Sequence, residues 1–550
     1  MGLDWKKLSE LLFPDIEKTP ADYEAQYPPR QLPEGAVVTR MAPSPTGFVH
    51  LGNLVQGLTA ERLAHQSGGV LFLRVEDTDA KREVAGAVEI LIDALQYYHI
   101  RFDEGATVEG NVGDYGPYRQ RQRREIYRAY AKTLVEQGLA YPCFCTEQEL
   151  ADMHRQQEQQ KTNFGYFGKW AIWRDRPLED IQPRLEAGEP WVLRFRSTGS
   201  IENKIRFTDL IKGKLELTEN DIDHVLLKSD GIPTYHFAHV IDDHLMRTTH
   251  VVRGDEWLST LPFHLQLFRA LGFKPPKYLH IGPLMKMDGI SKRKLSKRKD
   301  PELALTFYQA EGFPPESVYE YLMTVLNSNF EDWRRANADA DIQTFQFSVK
   351  KMNPAGALFD PDKLKDVSKN VISRMNAEQV TQQVLNWAQR YDPEFYALLA
   401  ADQQYTAGIF DIDRGGKKPR KDLAKWSEAK AYTAYFFDAL FEQTDCWPEH
   451  LNTADIKGVL QRYMPLYDPA DDKDTWFSKI RGLCEPLGFS PDVKAYKQNP
   501  SGFKGHVGDV STVIRVAVTG RVNTPDLYAI MRLLGRQRVL ERLQQATERL

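Results

Sequence analysis

The chain has 550 residues, 42% hydrophobic and 27% charged, as expected of a globular protein with roughly three to five structural units and ample cores. It has no run of about 18 apolar residues to span a bilayer and no apolar signal segment. Lys6 replaces the Ser or Thr of a myristoylation signal, and Asp4, Glu10, Asp15 and Glu17 argue against a transit peptide, so a cytoplasmic protein without a membrane partner is expected. Net charge is −4, from 72 basic and 76 acidic side chains, so any RNA contact must come from local patches rather than overall attraction.

Residues 1–36, rich in Pro and charge with an apolar cluster at Leu8, Leu11, Leu12 and Phe13, read as an N-terminal extension. The β-branched run 36–41 fits a buried parallel strand. Pro43, Pro45 and Gly47 follow, then a helical pattern over 54–65 ending at Gly68-Gly69, and a second strand over 70–75. Strands alternate with helices over 37–117 and again over 206–290, the pattern of a doubly wound, Rossmann-like parallel sheet split by an insertion at 118–205. The insertion opens with a helix over 123–137 and holds an alternating strand over 191–196. After Pro301 the periods turn helical, at Pro315–Leu326, Ala377–Tyr391, 421–442 and 527–550, giving an α-helical C-terminal half.

Two segments carry the chemistry. The corner from Pro43 to Asn53 joins a strand to a helix, and the free N–H groups and positive dipole end of a helix N-terminus receive polyphosphate when glycines such as Gly47 and Gly52 leave room. His50 and Asn53 stand at that mouth as possible donors. An ordinary turn with a capping Asn is the plainer alternative. Far downstream, six of the eight residues from Lys292 to Lys299 are Lys or Arg, between the turn signals Asp288-Gly289 and Asp300-Pro301. Such a run reads as a mobile cationic loop whose lysines can meet phosphoryl charge as it develops, or as a solvated basic face. Further basic patches occur at Arg119, Arg121, Arg123 and Arg124 and at Lys417, Lys418, Arg420 and Lys421. Patches spread over the chain suit a long folded RNA. The four cysteines, Cys143, Cys145, Cys446 and Cys484, are too few for a disulfide framework.

His50-Leu51-Gly52-Asn53 resembles the His-Ile-Gly-His signature of class I aminoacyl-tRNA synthetases, and Lys294-Leu295-Ser296-Lys297-Arg298 resembles their Lys-Met-Ser-Lys-Ser loop. Longer stretches narrow the resemblance to the bacterial-type glutamyl-tRNA synthetases. They begin at Arg40-Met41-Ala42-Pro43-Ser44-Pro45-Thr46-Gly47, Leu73-Arg74-Val75-Glu76-Asp77-Thr78-Asp79, Val225-Leu226-Leu227-Lys228-Ser229-Asp230-Gly231, Asp242-Asp243-His244 and Thr249-His250-Val251-Val252-Arg253-Gly254-Asp255-Glu256. By that resemblance ATP with Mg²⁺ is held by Thr46, Gly47, His50, Gly52, Asn53, Lys294 and Lys297, with His50, Lys294 and Lys297 catalytic. Glutamate falls to Arg40, Ala42, Ser44, Glu76, Tyr235, His239 and Arg253. Bacterial glutamyl enzymes usually carry Asn at the position of His239, which resembles the glutaminyl relatives here and can still donate a hydrogen bond.

Chemistry is consistent with those roles. Glu76 ends a predicted strand where open α/β sheets place ligands, and Arg40 and Arg253 offer planar forks for carboxylates. An ion pair among Arg40, Glu76 and Arg253 that merely ties strands together is the alternative. A buried Arg253 facing glutamine's neutral amide would lack its counter-charge, and breaking such a pair costs roughly 3–5 kcal/mol, more than a hundredfold in discrimination. Cys143-Phe144-Cys145 sits where some glutamyl enzymes begin a zinc knuckle, but 167–173 offers aromatics instead of a second ligand pair, so no structural zinc is expected.

The resemblance implies a catalytic domain at 37–117 and 206–290, an inserted α/β acceptor-stem-binding domain at 118–205, a signature loop with a stem-contacting helical domain at 291–385, and an α-helical anticodon-binding domain at 386–550. It implies a monomeric ligase joining glutamate to tRNA(Glu). The alternatives are a non-discriminating or glutaminyl-type enzyme, a paralogue that glutamylates a modified base, and a non-catalytic tRNA-binding paralogue.

Overall fold

The structure is a computed structural model that describes residues 3–45, 48–79, 84–416 and 419–550. Thr46 and Gly47 of the corner, and Lys417 and Lys418 of a basic patch, lie outside the described residues. Two compact units are formed, Met1–Leu305 with Leu322–Asp360, and Thr306–Tyr321 with Pro361–Leu550.

In chain order the helices of the first unit that matter here are α1 (Trp5–Leu12), α2 (Pro20–Gln26), α3 (Leu51–His65), α4 (Ala87–Tyr97), α5 (Arg124–Glu136), α6 (Glu147–Gln159), α7 (Leu178–Glu186), α8 (Tyr235–Leu245) and α9 (Leu261–Ala270). Its strands are β1 (Val38–Met41), β2 (Val70–Leu73), β3 (Glu104–Ala106), β4 (Asn111–Val112), β5 (Ala140–Cys143), β6 (Val192–Phe195), β7 (Lys204–Asp209), β8 (Gly213–Thr218), β9 (Val225–Leu227), β10 (His250–Gly254), β11 (Lys277–Ile281), β12 (Met285–Asp288) and β13 (Ser291–Lys294).

All four residues of β1 are buried, as its β-branched composition predicts. It pairs in parallel with β2, Arg40 facing Phe72, and β2 pairs in parallel with β3. On the other side β10 runs parallel to β11, and the start of β10 is tied to β1 where Thr249 N donates to Val38 O at 3.0 Å. The chain therefore leaves β1 in one direction through α3 to β2, and returns much later on its other flank. A doubly wound sheet binds ligands at such a reversal, outside the carboxyl ends of its strands.

The insertion builds an antiparallel sheet in the order β5, β6, β9, followed in the chain by α8. The stretch from 206 does not begin with alternating strands and helices: it opens in the β7–β8 hairpin, and β9 completes the insertion's sheet. The N-terminal extension is folded. Its α1 packs on α5 and α7, burying Leu8, Leu12 and Phe13, and Arg30 grips Glu104 with both guanidinium nitrogens at 2.7 and 3.0 Å.

In the second unit, helix Ala377–Tyr391 packs its Val380, Val384 and Leu385 with Phe395 and Trp426, and a separate apolar cluster gathers Val459, Ile480, Val513 and Ile530. The helix predicted over 421–442 does not form as one element: only Ala429–Thr433 is α-helical there. Lys425 is extended at φ −157°, and the Ala424 N–H is taken by the Glu428 carboxylate at 2.8 Å, which leaves Trp426 free to enter the core. The terminal helix Leu527–Arg549 is interrupted at Gly535, whose φ of 80° no helix interior accommodates. Among the described residues no helix is long and apolar enough to cross a membrane.

Candidate active site

The helix α3 begins at the corner. His50 is its N-cap: Nδ1 accepts from Asn53 N at 3.2 Å, and Asn53 Oδ1 accepts from His50 N at 3.0 Å. With Nδ1 occupied as an acceptor, the neutral ring carries its proton on Nε2. Burial holds the imidazole below its ordinary pKa, and Lys297 and Lys294 push the same way. A Cβ on Gly52 would come within 2.9 Å of the His50 ring, so glycine is what lets the imidazole fold back over the helix start.

His50 and Gly52 line a cavity of about 280 Å³ together with Glu256, Lys294, Lys297 and Gln56. The basic run is not one free loop. Its first half is β13, hairpin partner of β12, and Arg293 is bound there, with Nη1 and Nη2 2.6 and 2.8 Å from the Asp300 oxygens. Asp300 also accepts from Ser296 N at 2.9 Å, and Arg293 holds its carboxyl well below the usual range. Lys297 lies beyond this anchor, its Nζ 4.0 Å from the centre of the Phe48 ring.

A second cavity of about 290 Å³ adjoins the first and shares His50, Gln56, Glu256 and Lys297 with it. Arg40, Ala42, Ser44, Glu76, Tyr235 and Arg253 all line this one, and so does Asn53. The sheet explains the gathering: Arg40 and Ala42 come from the end of β1, Glu76 follows β2, Tyr235 opens α8 and Arg253 lies in β10.

Asp243 of α8 controls the charges. Arg74 Nη1 donates to Asp243 Oδ1 at 2.6 Å and Arg40 Nε lies 3.4 Å from the same oxygen, which keeps Asp243 ionised. Among the described residues the Glu76 carboxylate has one hydrogen bond, from Arg74 Nη2 at 3.1 Å, and burial raises its carboxyl to about 7 against the pull of Arg74 and Arg40. Among the described residues no ion pair joins Arg40 or Arg253 to Glu76, so the strand-tying alternative is not what forms. Arg253 instead faces imidazoles, His280 Nε2 at 3.0 Å and His264 Nδ1 at 3.2 Å.

A family model described as tRNA synthetases class I (E and Q), catalytic domain, matches residues 36–366. The chain belongs to that class I synthetase family. An anticodon binding domain model matches residues 495–547. A glutamate–tRNA ligase of Acetivibrio thermocellus is 51% identical, over 98% of this chain and 100% of its own. One from Clostridium perfringens is 49% identical, over 98% and 100%. A crystal structure of a glutamate tRNA ligase from Elizabethkingia meningosepticum in complex with its amino acid superposes with a TM-score of 0.73 at 26% identity, covering 93% of this chain and 99% of that one.

Within this class I synthetase, His239 is, among the described site residues, the one that lines neither cavity. It is fully buried behind Tyr235, the two rings stacked at 5.6 Å, with Nε2 3.0 Å from the Tyr278 hydroxyl and Nδ1 2.8 Å from Asp243 Oδ2. Burial lowers its pKa to about 3, so it is a neutral support for Tyr235 rather than a wall. Arg123 of the first basic patch is likewise withdrawn from the surface, its Nε 2.7 Å from Asp242 Oδ1. The Cys143 and Cys145 thiols each lie 3.6 Å from the Tyr166 hydroxyl, and among the described residues no group of three or more His, Cys, Asp or Glu is arranged to hold a metal ion. The sequence reading missed Phe48, Arg74, Asp243, Glu256, His264 and His280. Arg74, Asp243 and Glu256 had a signal, since each stands in a matched stretch; the two histidines had none.

Proposed function

We propose that the chain is a glutamate–tRNA ligase that makes glutamyl-adenylate from L-glutamate and MgATP and transfers the glutamyl group to the terminal adenosine of tRNA(Glu). The observation that supports it most directly is a charge pattern. One cavity holds a guanidinium that no carboxylate pairs with among the described residues, Arg253, together with an acid, Glu76, and it adjoins a second cavity lined by His50, Lys294 and Lys297. An amino acid with an acidic side chain and an α-ammonium fits the first, and a triphosphate fits the second.

In the first step the glutamate α-carboxylate attacks the α-phosphorus of ATP, a P–O bond forms, and the bond to pyrophosphate breaks. Lys297, Lys294 and the Nε2–H of neutral His50 donate to oxygens that gain charge in the transition state, with Gly52 and Asn53 at the phosphate corner and Thr46 and Gly47 as further ATP-binding residues. Mg²⁺ enters with the ATP. Arg253 takes the side-chain carboxylate, Glu76 the α-ammonium, Tyr235 hydrogen-bonds the substrate, and Arg40, Ala42 and Ser44 complete the pocket with His239 behind Tyr235. In the second step a ribose hydroxyl of the tRNA attacks the glutamyl carbonyl and AMP leaves, which needs no side-chain nucleophile. The insertion at 118–205 holds the acceptor end and the helical half at 386–550 reads the anticodon.

The test is aminoacylation of purified glutamate and glutamine tRNAs with labelled glutamate and, separately, labelled glutamine. Glutamyl-tRNA(Glu) is the expected product. Charging with glutamine, or no charging of tRNA(Glu), refutes the reading.

A further inference from the structure

Behind the first cavity, four contacts form one chain. Asp209 Oδ2 lies 2.7 Å from His280 Nδ1, His280 Nε2 lies 3.0 Å from Arg253 Nε, Arg253 Nη1 lies 3.2 Å from His264 Nδ1, and His264 Nε2 lies 2.9 Å from His236 Nδ1. A guanidinium only donates, so the imidazole nitrogens facing it carry no proton. That fixes every tautomer: His280 holds its proton on Nδ1 and gives it to Asp209, and His264 holds its proton on Nε2 and gives it to His236. One assignment satisfies all four contacts. Burial keeps His264 and His280 below their ordinary pKa and His236 at about 4, so the rings stay neutral at working pH.

We propose that His280 and His264 are positioning residues that set the preference for an acidic side chain by holding Arg253 with neutral acceptors. A carboxylate in either place would hold the guanidinium as firmly and also cancel its charge, after which a neutral amide would bind nearly as well as an acid. An imidazole fixes geometry and leaves the charge for the ligand; the balancing carboxylate, Asp209, is kept one ring away. No carboxylate touches Arg253 among the described residues; its other contacts are Trp257 O at 3.4 Å, the face of the Tyr278 ring at 4.7 Å and the Tyr235 side chain. The inference rests on the reading of Arg253 as the partner of the glutamate side chain.

Isosteric pairs in the full chain separate the two effects. His264→Gln and His280→Gln keep a neutral acceptor; His264→Glu and His280→Glu bring a charged one. With glutamate, glutamine and ATP varied in turn in aminoacylation, the Gln variants are expected within about threefold of the parent in KM for glutamate. The Glu variants are expected to raise that KM about ten- to a hundredfold and to narrow the preference over glutamine by a similar factor, with KM for ATP within about twofold. Equal behaviour of the Gln and Glu members of both pairs, or an unchanged preference in the Glu variants, overturns the proposal. Failure of the parent chain to charge glutamate overturns the ligase reading instead.

Discussion

Lowering the pH from 8 to 6 is expected to weaken glutamate binding about tenfold, because the group proposed to receive the α-ammonium loses its charge in that interval. Burial holds the Glu76 carboxyl at about 7 in the free protein against the pull of Arg74 and Arg40, with the charge of Asp243 adding to the rise. The sign follows from the raised value: below it the carboxyl is protonated and offers the ammonium no charge, above it the site is ready. The ionised fraction falls from about nine-tenths at pH 8 to about one-tenth at pH 6, so KM rises in inverse proportion. The charges facing Glu76 are Arg74, Arg40 and Asp243; Arg74 is held above its ordinary value and Asp243 well below its own, and burial keeps His50 below its ordinary value. Glutamate-dependent ATP–pyrophosphate exchange, run with tRNA present and ATP saturating, gives KM at each pH. Glu76→Gln is expected to have a high KM that does not change with pH. A flat profile in the parent chain, or the same slope in Glu76→Gln, refutes the reasoning.

Lys297→Ala is expected to lower kcat for adenylate formation by about a hundredfold or more with little change in KM for glutamate, measured in the same exchange assay. Asp300→Asn keeps an acceptor for Ser296 but loses the two charged contacts with Arg293; kcat should fall about tenfold, and tryptic cleavage within 292–299 should quicken. Gly52→Ala puts a methyl 2.9 Å from the His50 ring while giving the helix a better former, so exchange activity should fall by about tenfold or more with no loss in melting temperature. A drop in stability that tracks the drop in activity would place the glycine in packing instead.

What could be read in the sequence was whatever local chemistry carries. The strand at Val38–Met41 announces itself through β-branching, and helices Pro315–Leu326 and Ala377–Tyr391 through their apolar period. The start of α3 was placed three residues late, at Leu54, because a capping histidine is not one of the usual N-cap residues. The helix over 421–442 failed because the period there does not register a single extended residue, Lys425, that turns Trp426 inward. In the candidate site, residues with an unusual charge in a short motif could be singled out from the sequence, and Arg253 and Lys297 among them line the cavities. Residues placed to hold those could not: His280 gains meaning only from its neighbour on the adjacent strand, and His264 only from what lies 3.2 Å from its ring.

The register of β1 joins the two cavities into one reaction chamber. Side chains alternate across a strand, so Thr39 turns to α3, its hydroxyl donating to Ala60 O at 2.9 Å, while Arg40 turns to α8 and β10, reaching Asp243 and Val252 O at 3.3 Å. The same strand then runs straight into the corner that places His50. A slip of one residue against β2 would send the arginine to the helix side and move the corner by more than 3 Å, separating the ends of the substrate from their partners together. Adenylyl transfer to the carboxylate needs its oxygen within roughly 3–3.5 Å of the phosphorus, a tolerance that side-chain flexibility cannot recover once the backbone has shifted. The pairing of Arg40 with Phe72 therefore sets the distance between the proposed amino-acid pocket and the proposed phosphate corner.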